Sequence, residues 1–95
     1  MVVSMFQVII EIPETSSIKD KRRVVNSLRD RTQRRFRMSC AEVDLQDSLR
    51  FSQLGGAIVS NSKEFGESVL NKVIAFIDDS GLAKLHDFQL HSEFF

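Results

Sequence analysis

The sequence predicts an α+β protein with a ferredoxin-like βαββαβ sandwich: a four-stranded antiparallel sheet of order 4-1-3-2 with two helices on one face. Two segments with apolar residues at helical spacing alternate with four strand-like segments, in the order β-α-β-β-α-β. Two right-handed βαβ crossovers joined by a hairpin produce this sheet. The 95 residues contain no linker or internal repeat, so we expect a single domain over residues 1–95.

The first strand is predicted within residues 2–12, where Phe6, Val8 and Ile10 share one face. Pro13 ends it because proline has no backbone N–H to donate. Residues 15–17 offer an N-cap for the following helix, with an aspartate three residues after the last of them. The apolar residues of this helix define one buried stripe: Ile18, Val24, Val25, Leu28, Thr32 and Phe36.

The second strand is predicted over residues 37–45. Residues 46–53 are polar, so they are expected to form a loop or a strand edge, followed by a short third strand over residues 54–60. The adjacent glycines Gly55 and Gly56 indicate either a bulge or a close approach of another part of the chain.

Asn61, with Glu64 three residues later, resembles a capping box at the start of the second helix. Gly81 suits a left-handed residue at the end of that helix. Residues 85–95 are expected to form the last strand, and the alternative is a loose tail, because the sequence HSEFF ends in phenylalanines. The second helix is expected to bury six apolar residues: Phe65, Val69, Leu70, Val73, Ile74 and Ile77.

The single cysteine, Cys40, cannot form a disulfide within the chain, which indicates a reducing compartment. It has no local histidine partner, so we expect an unreactive thiol. Residues 1–13 are apolar but lack a basic n-region and are interrupted by polar side chains. They are also shorter than the ~20 residues that a membrane span requires. We therefore expect a cytoplasmic protein with no membrane partner.

No catalytic motif of the P-loop, Rossmann or G-x-S-x-G type occurs in the sequence. Acylphosphatases share the predicted fold, but they need a glycine-rich phosphate loop with an arginine, and residues 13–21 contain no glycine. Glu42 and Asp44 offer oxygen ligands for a hard cation, but His91 on the opposite edge strand would lie about 14 Å away. We expect no enzyme activity, cofactor, metal site or small-molecule substrate.

Four segments carry a family resemblance: VVxxxxVxIxIP, SIKDKRRVVNSL, AEVDLQD and GxAIVSNS. Their order and spacing resemble the YlxP-like family of small bacterial proteins with a domain of unknown function, over nearly the whole chain. The resemblance implies a ferredoxin-like fold. Genes of this family often lie beside genes for translation initiation, transcript elongation and ribosome maturation, which implies an RNA-related role. The family pattern has a histidine where Leu45 stands and a tryptophan near Leu49 or Phe51, and it supplies no catalytic residues.

The first predicted helix carries an excess of positive charge. Residues 19–37 contain nine of the thirteen basic residues but two of the thirteen acidic ones, so this segment carries +7 and the remainder −7. Asp30 is expected to pair with Arg34. Like charges four residues apart repel one another, so a face that served solubility alone would mix signs. We predict that a basic strip contacts the phosphates of RNA or the ribosome: Lys19, Arg22, Arg23, Arg29, Arg31, Arg34 and Arg35. The alternative is an ordinary solvated helix face.

The open face of the sheet, the one away from the helices, is predicted to expose Met5 and Ile9, and apolar patches often mark interfaces. It has no aromatic platform of the kind on which RNA-recognition domains stack bases. Acidic residues are expected to make this face negative: Glu42, Asp44, Asp87 and Glu93. The alternative function is therefore a homo-oligomeric protein-interaction or regulatory module without nucleic-acid binding, joined as a homodimer through this face or a sheet edge.

Overall fold

The computed structural model describes all of residues 1–95 and contains the predicted elements in the predicted order. They are β1 (Val2–Glu11), α1 (Ile18–Phe36), β2 (Ser39–Asp44), β3 (Phe51–Ser60), α2 (Lys63–Asp78) and β4 (Lys84–Phe94). The strands form one antiparallel sheet of order β2-β3-β1-β4, which is the predicted order read from the other edge. The ferredoxin-like fold is confirmed. The loose-tail alternative is wrong, because β4 pairs with β1 along its length.

The core lies between the sheet and the two helices. Alternate residues of β1 are buried, from Val2 to Ile10, whereas the residues between them are exposed or half-buried. This alternation follows from the period-two geometry of a strand with one covered face. Thirteen of the buried apolar residues form one continuous cluster: Phe6, Val8, Ile10, Ile12, Val25, Leu28, Met38, Cys40, Leu54, Leu70, Val73, Ile74 and Ile77.

Helix α1 begins as the sequence predicts, because the Ser17 side chain accepts a hydrogen bond from the Asp20 backbone N–H at 3.1 Å. It ends at Phe36, and Arg37 adopts a left-handed conformation with φ of 48°. The predicted stripe is buried at its centre and half-buried at its ends. The structure adds one residue to it that was not expected there, Lys21. Neither helix combines the length and the hydropathy that crossing a membrane requires.

Strand β3 begins at Phe51, so the prediction that it begins at Leu54 is wrong, and residues 51–53, predicted as loop or strand edge, belong to the strand. The polar residues are accommodated by partners on neighbouring strands. The buried Ser52 hydroxyl donates to Glu42 at 2.5 Å, and the Gln53 amide donates to Gln7 at 3.0 Å. No bulge occurs at the glycine pair; Gly56 lies instead where Ser39 and Phe6 approach closely.

Strand β2 presents its faces opposite to the prediction as far as Glu42, whereas Asp44 pairs in register with the outward Gln53. Glu42 pairs in register with the buried Leu54, and its side chain lies on the helix side of the sheet beside α1, not on the open face. Val43 is exposed and borders the glycine pair of β3. A shift of one residue in a strand exchanges its faces, and β2 also has an irregularity between Glu42 and Asp44.

Two predictions for α2 are wrong. Ser62, not Asn61, caps the helix, and its hydroxyl accepts from the Phe65 backbone N–H at 3.2 Å. This start places Phe65 in the first turn on the outer side, where it is 61% exposed. Gly81 does have a positive φ of 73°, but it lies beyond the helix, whose C-cap residue is Asp79.

Candidate nucleic-acid interface

The basic strip lies along α1 and is largely exposed. Six of its seven residues are exposed, and Arg29 is half-buried. Arg29 is also the one member that forms an ion pair, with the adjacent Asp30 at 3.0 Å. The other six have no carboxylate within ion-pairing distance in the chain: Lys19, Arg22, Arg23, Arg31, Arg34 and Arg35.

The expected pair between Asp30 and Arg34 is wrong. Both Nε and a terminal nitrogen of Arg29 donate to the Asp30 carboxylate, and Arg34 reaches only the Asp30 backbone oxygen, at 3.4 Å. The Arg29 contact is partly exposed, so it contributes at most about 1 kcal/mol. Arg34 therefore keeps its charge available to an external anion.

Lys21 belongs to the positive run in sequence but not to the surface. Its side chain is 1% exposed, and its ammonium lies 3.4 Å from the Glu42 carboxylate. The same ammonium donates to the Leu45 backbone oxygen at 2.6 Å. Leu45 has a φ of 64°, a conformation that costs energy for a side chain larger than glycine. Lys21 therefore ties α1 to the end of β2 and is not part of the basic strip.

One end of the basic strip borders a cavity of about 420 Å³ between the C-terminal halves of the two helices, which we call the interhelix pocket. The guanidinium carbon of Arg35 lies 5.3 Å from the ring centroid of Phe76 and 5.8 Å from that of Phe36. The two rings meet edge to face at 5.6 Å. The pocket is lined by Arg35, Phe36, Lys72, Ala75, Phe76, Asp79 and Ser80.

Sequence reasoning did not find Lys72 or Phe76 as site residues. Both lie on α2, 36 or more residues from their neighbours on α1, and no local motif marks them. The predicted fold packs two amphipathic helices side by side on one face of the sheet, which brings the margins of their apolar faces together. A contact between α1 and α2 could have been predicted from this packing, but not the residues that form it. Phe76 lies next to the buried residue Ile77 of α2 and therefore at the margin of that helix's covered face.

The open face is mixed in character. Met5 and Ile9 are half-buried, and Val59 is 67% exposed. Of the four acids predicted to lie there, Asp44, Asp87 and Glu93 pair in register with outward residues of the neighbouring strand, whereas Glu42 does not. Phe51, which enters the sheet with the longer β3, adds a single half-buried aromatic ring at one end.

That ring belongs to a polar cluster at the end of β1. Glu11 accepts from Arg50 Nε at 2.6 Å, and its other carboxylate oxygen lies 2.7 Å from His86 Nε2. The hydrogen bonds with His86 and then Arg50 hold the pKa of Glu11 below its usual value of 4.5. The His86 ring meets Phe51 edge to face at 5.5 Å, so the cluster bridges β1, β3 and β4.

Replacing Glu11 with glutamine is expected to remove an acid-sensitive contribution to stability. The folded-state pKa of Glu11 is lowered, so its contribution is fully present above the unfolded-state pKa and is lost as pH falls through the folded value. The difference in unfolding free energy between wild type and Glu11→Gln should therefore be constant near neutral pH and shrink below about pH 4.5. Urea denaturation at a series of pH values measures it. A difference that stays constant down to about pH 3 would contradict this account.

Cys40 is buried on the helix side of β2. Burial raises the pKa of the Cys40 thiol to about 11. The thiolate is the nucleophilic form, and it is scarcely populated near neutral pH at this pKa. The expectation of an unreactive thiol therefore agrees with the environment that the structure gives it.

The sequence is similar to known proteins along most of its length. The model of the family described as "Protein of unknown function (DUF503)" matches residues 3–90. The "Uncharacterized protein YlxP" of Bacillus subtilis (strain 168) is 37% identical over 67 residues, which are 70% of this chain and 73% of that protein.

Two solved structures share the architecture at low identity. One, described as "Structural Genomics, protein YJCS", has a TM-score of 0.57 and 11% identity, with 94% of this chain and 96% of that chain covered. The other is a REP-associated tyrosine transposase bound to a REP hairpin, with a TM-score of 0.50 and 10% identity. That alignment covers 98% of this chain but 56% of the transposase chain. At these identities the likeness concerns the fold alone.

Proposed function

The chain belongs to the family described as "Protein of unknown function (DUF503)", and from this premise we propose that it is a non-catalytic, cytoplasmic binding module associated with RNA or the ribosome. The basic strip on α1 binds the phosphates. RNA is preferred to DNA because of the gene neighbourhood that the family resemblance implies. The hairpin named with the transposase is a ligand of that protein, and the shared fold does not assign it to this chain.

The observation that supports this proposal most is the lack of internal counterions along the basic strip. Six exposed cations on one helix have no carboxylate partner, although the chain has as many acidic as basic residues. Intramolecular pairing would have been possible, and the acids lie elsewhere. A surface that leaves its cations unpaired gains binding free energy when they meet phosphates and release condensed counterions.

The dimensions of α1 fit a polyanion. From Lys19 to Arg34 the helix rises by about 22 Å at ~1.5 Å per residue. A duplex presents one phosphate charge per ~1.7 Å of its axis, so the cations on the outward side of the helix, Lys19, Arg23 and Arg34, have phosphates within reach. The exposed residues are mostly arginines, whose planar fork binds two phosphate oxygens at once.

A salt titration of RNA binding tests the proposal. With five phosphate contacts, the slope of log affinity against log salt should be roughly −4 to −5 for a duplex. The variant Arg23→Glu/Arg34→Glu should weaken binding roughly 10- to 100-fold and make the slope less steep by about two units. Fluorescence anisotropy with a labelled RNA hairpin measures both quantities.

Lys63→Glu/Lys84→Glu is the matched control, since it makes the same change in net charge on α2 and β4, outside the basic strip. This control should keep the wild-type slope. If both double variants weaken binding equally, the effect is one of total charge and the basic strip is not the site. If the wild-type protein does not bind RNA at low salt, the proposal is wrong.

A homodimer is the second candidate, and the outer edge of β4 favours it. This strand has 11 residues and pairs only with β1, so its other edge has unpaired backbone groups. Exposed edges of this length are templates for pairing with another chain. Phe88 and Phe94 on the same strand are exposed. Sedimentation equilibrium supports this candidate if wild type is a dimer and Phe88→Pro, a β4 variant at a position whose backbone N–H does not pair with β1, is a folded monomer.

A further inference from the structure

We propose that the interhelix pocket binds an unpaired nucleobase of the RNA, which makes this end of the basic strip specific for single-stranded rather than duplex RNA. The inference rests on the proposed function, because the same strip supplies the phosphate contacts. It adds a second kind of contact, stacking, which the charges alone do not provide. The geometry points to it through three features of the pocket: its aromatic wall, its guanidinium and its position.

The wall of the pocket is aromatic and accessible. Phe36 and Phe76 are both half-buried, so part of each ring remains in contact with solvent. Arg35 places its guanidinium over both rings, at 5.3 and 5.8 Å from their centroids. Nucleobases stack on aromatic rings and on arginine guanidinium planes, and these are the two surfaces that meet here.

The charges around the pocket suit the backbone of a nucleotide whose base lies inside. Arg35 enters from α1 and Lys72 from α2, so one cation stands on each helix. Asp79 and Ser80 complete the polar rim, and a carboxylate accepts hydrogen bonds from base N–H groups or a ribose 2′-hydroxyl. Neither an internal ion pair nor a side-chain hydrogen bond occupies the Asp79 carboxylate.

Position links the pocket to the basic strip. The last two turns of α1 contain Arg31, Arg34 and Arg35. An RNA backbone bound by these side chains therefore places its next base at the pocket. A base in a duplex is stacked and paired and cannot enter a side pocket without being extruded. The cavity of about 420 Å³ falls within the ~300–1,000 Å³ range of small-ligand sites.

Phe76→Leu tests the inference, since it removes the ring but keeps an apolar side chain. The probes are a labelled, single-stranded oligo(A) and a fully paired, blunt-ended RNA duplex with the same number of phosphates. Loss of one stacked base should weaken oligo(A) binding by about 5- to 150-fold and leave duplex binding nearly unchanged. Phe65→Leu is the matched control, because it removes an exposed ring at the other end of the same helix and should change neither affinity.

A direct readout of stacking accompanies the affinities. One 2-aminopurine within the oligonucleotide should lose fluorescence on binding wild type, and this quenching should be reduced in Phe76→Leu. If thermal denaturation shows that Phe76→Leu is not folded, Arg35→Gln replaces it as the test variant. Arg35 is exposed, so its replacement should leave the fold intact and should also reduce the quenching.

The outcomes separate the two proposals. If wild type binds both probes with steep salt dependence but Phe76→Leu binds oligo(A) and quenches its fluorescence as wild type does, the pocket does not stack a base and only this inference is wrong. Where Arg35→Gln replaces Phe76→Leu, unchanged quenching is the outcome that contradicts the inference. If wild type binds neither probe at low salt, both the inference and the proposed function are wrong.

Discussion

Replacing Gly56 with alanine is expected to lower the free energy of unfolding by about 3 kcal/mol, because the site has no room for a methyl group. A Cβ at this position would lie inside van der Waals contact of the Ser39 backbone oxygen and 2.6 Å from Cε1 of Phe6. Neither neighbour can move cheaply. The oxygen belongs to the paired strand β2, and Phe6 is fully buried in the core. Urea denaturation followed by circular dichroism measures the loss.

Gly55→Ala is the matched control one residue away. Its Cβ would meet the Cγ1 atom of Val43 at 3.2 Å, and Val43 is exposed, so its side chain can rotate aside. The expected loss is below about 1 kcal/mol, because the one close neighbour can move away from the new methyl group. Equal losses in the two variants would show that the close contact at Gly56 does not set the cost.

The sequence was sufficient for features that depend on one segment at a time. The alternation in β1 and the apolar stripe of α1 each depend on residues of a single element. The N-cap at Ser17 depends only on a residue three positions later. The topology followed because only a few arrangements connect six such elements. These predictions are confirmed by the structure and, for the family, by the comparisons.

The faces of β2 could not be assigned in the same way. Both sets of alternating residues in this short strand contain polar side chains, so the pattern does not decide which set is covered. The choice depends on a partner from another element, since Glu42 can lie on the helix side only because Lys21 is there to bind it. For the same reason the interhelix pocket, made by residues of α1 and α2, had no local signal.

The burial of Lys21 could have been predicted from its spacing along α1, although its charge suggests an exposed position. It precedes Val25 by four residues, Leu28 by seven and Thr32 by eleven, which places it on the buried stripe of α1. Lys21 is one of the nine positive charges of residues 19–37 but not one of the seven residues predicted for the basic strip, and the helical period places it on the buried side. The helical period thus places the basic strip in solvent and Lys21 in the interior. The buried ammonium of Lys21 in turn explains why the AEVD segment contains a glutamate, Glu42.

Replacing Glu42 with glutamine is expected to lower the free energy of unfolding by about 3 kcal/mol, since it leaves the ammonium of Lys21 buried without a counterion. Lys21 would keep its hydrogen bond with the Leu45 oxygen, and Glu42 is itself 18% exposed, so the loss should lie at the lower end of the range for broken buried pairs. Glu67→Gln is the control. It breaks the exposed pair with Lys63 and should cost about 0.5 kcal/mol or less.

The double variant Lys21→Met/Glu42→Leu distinguishes the contribution of the ion pair from that of the packing of the two side chains. Two apolar side chains of similar size remove both charges together, so most of the lost stability should return. A double-mutant cycle with Lys21→Met and Glu42→Leu then gives the coupling energy, expected to exceed about 1 kcal/mol. Additive losses would mean that Lys21 and Glu42 are stabilised independently, by the Leu45 oxygen and the Ser52 hydroxyl, and that the pair does not fasten β2 to α1.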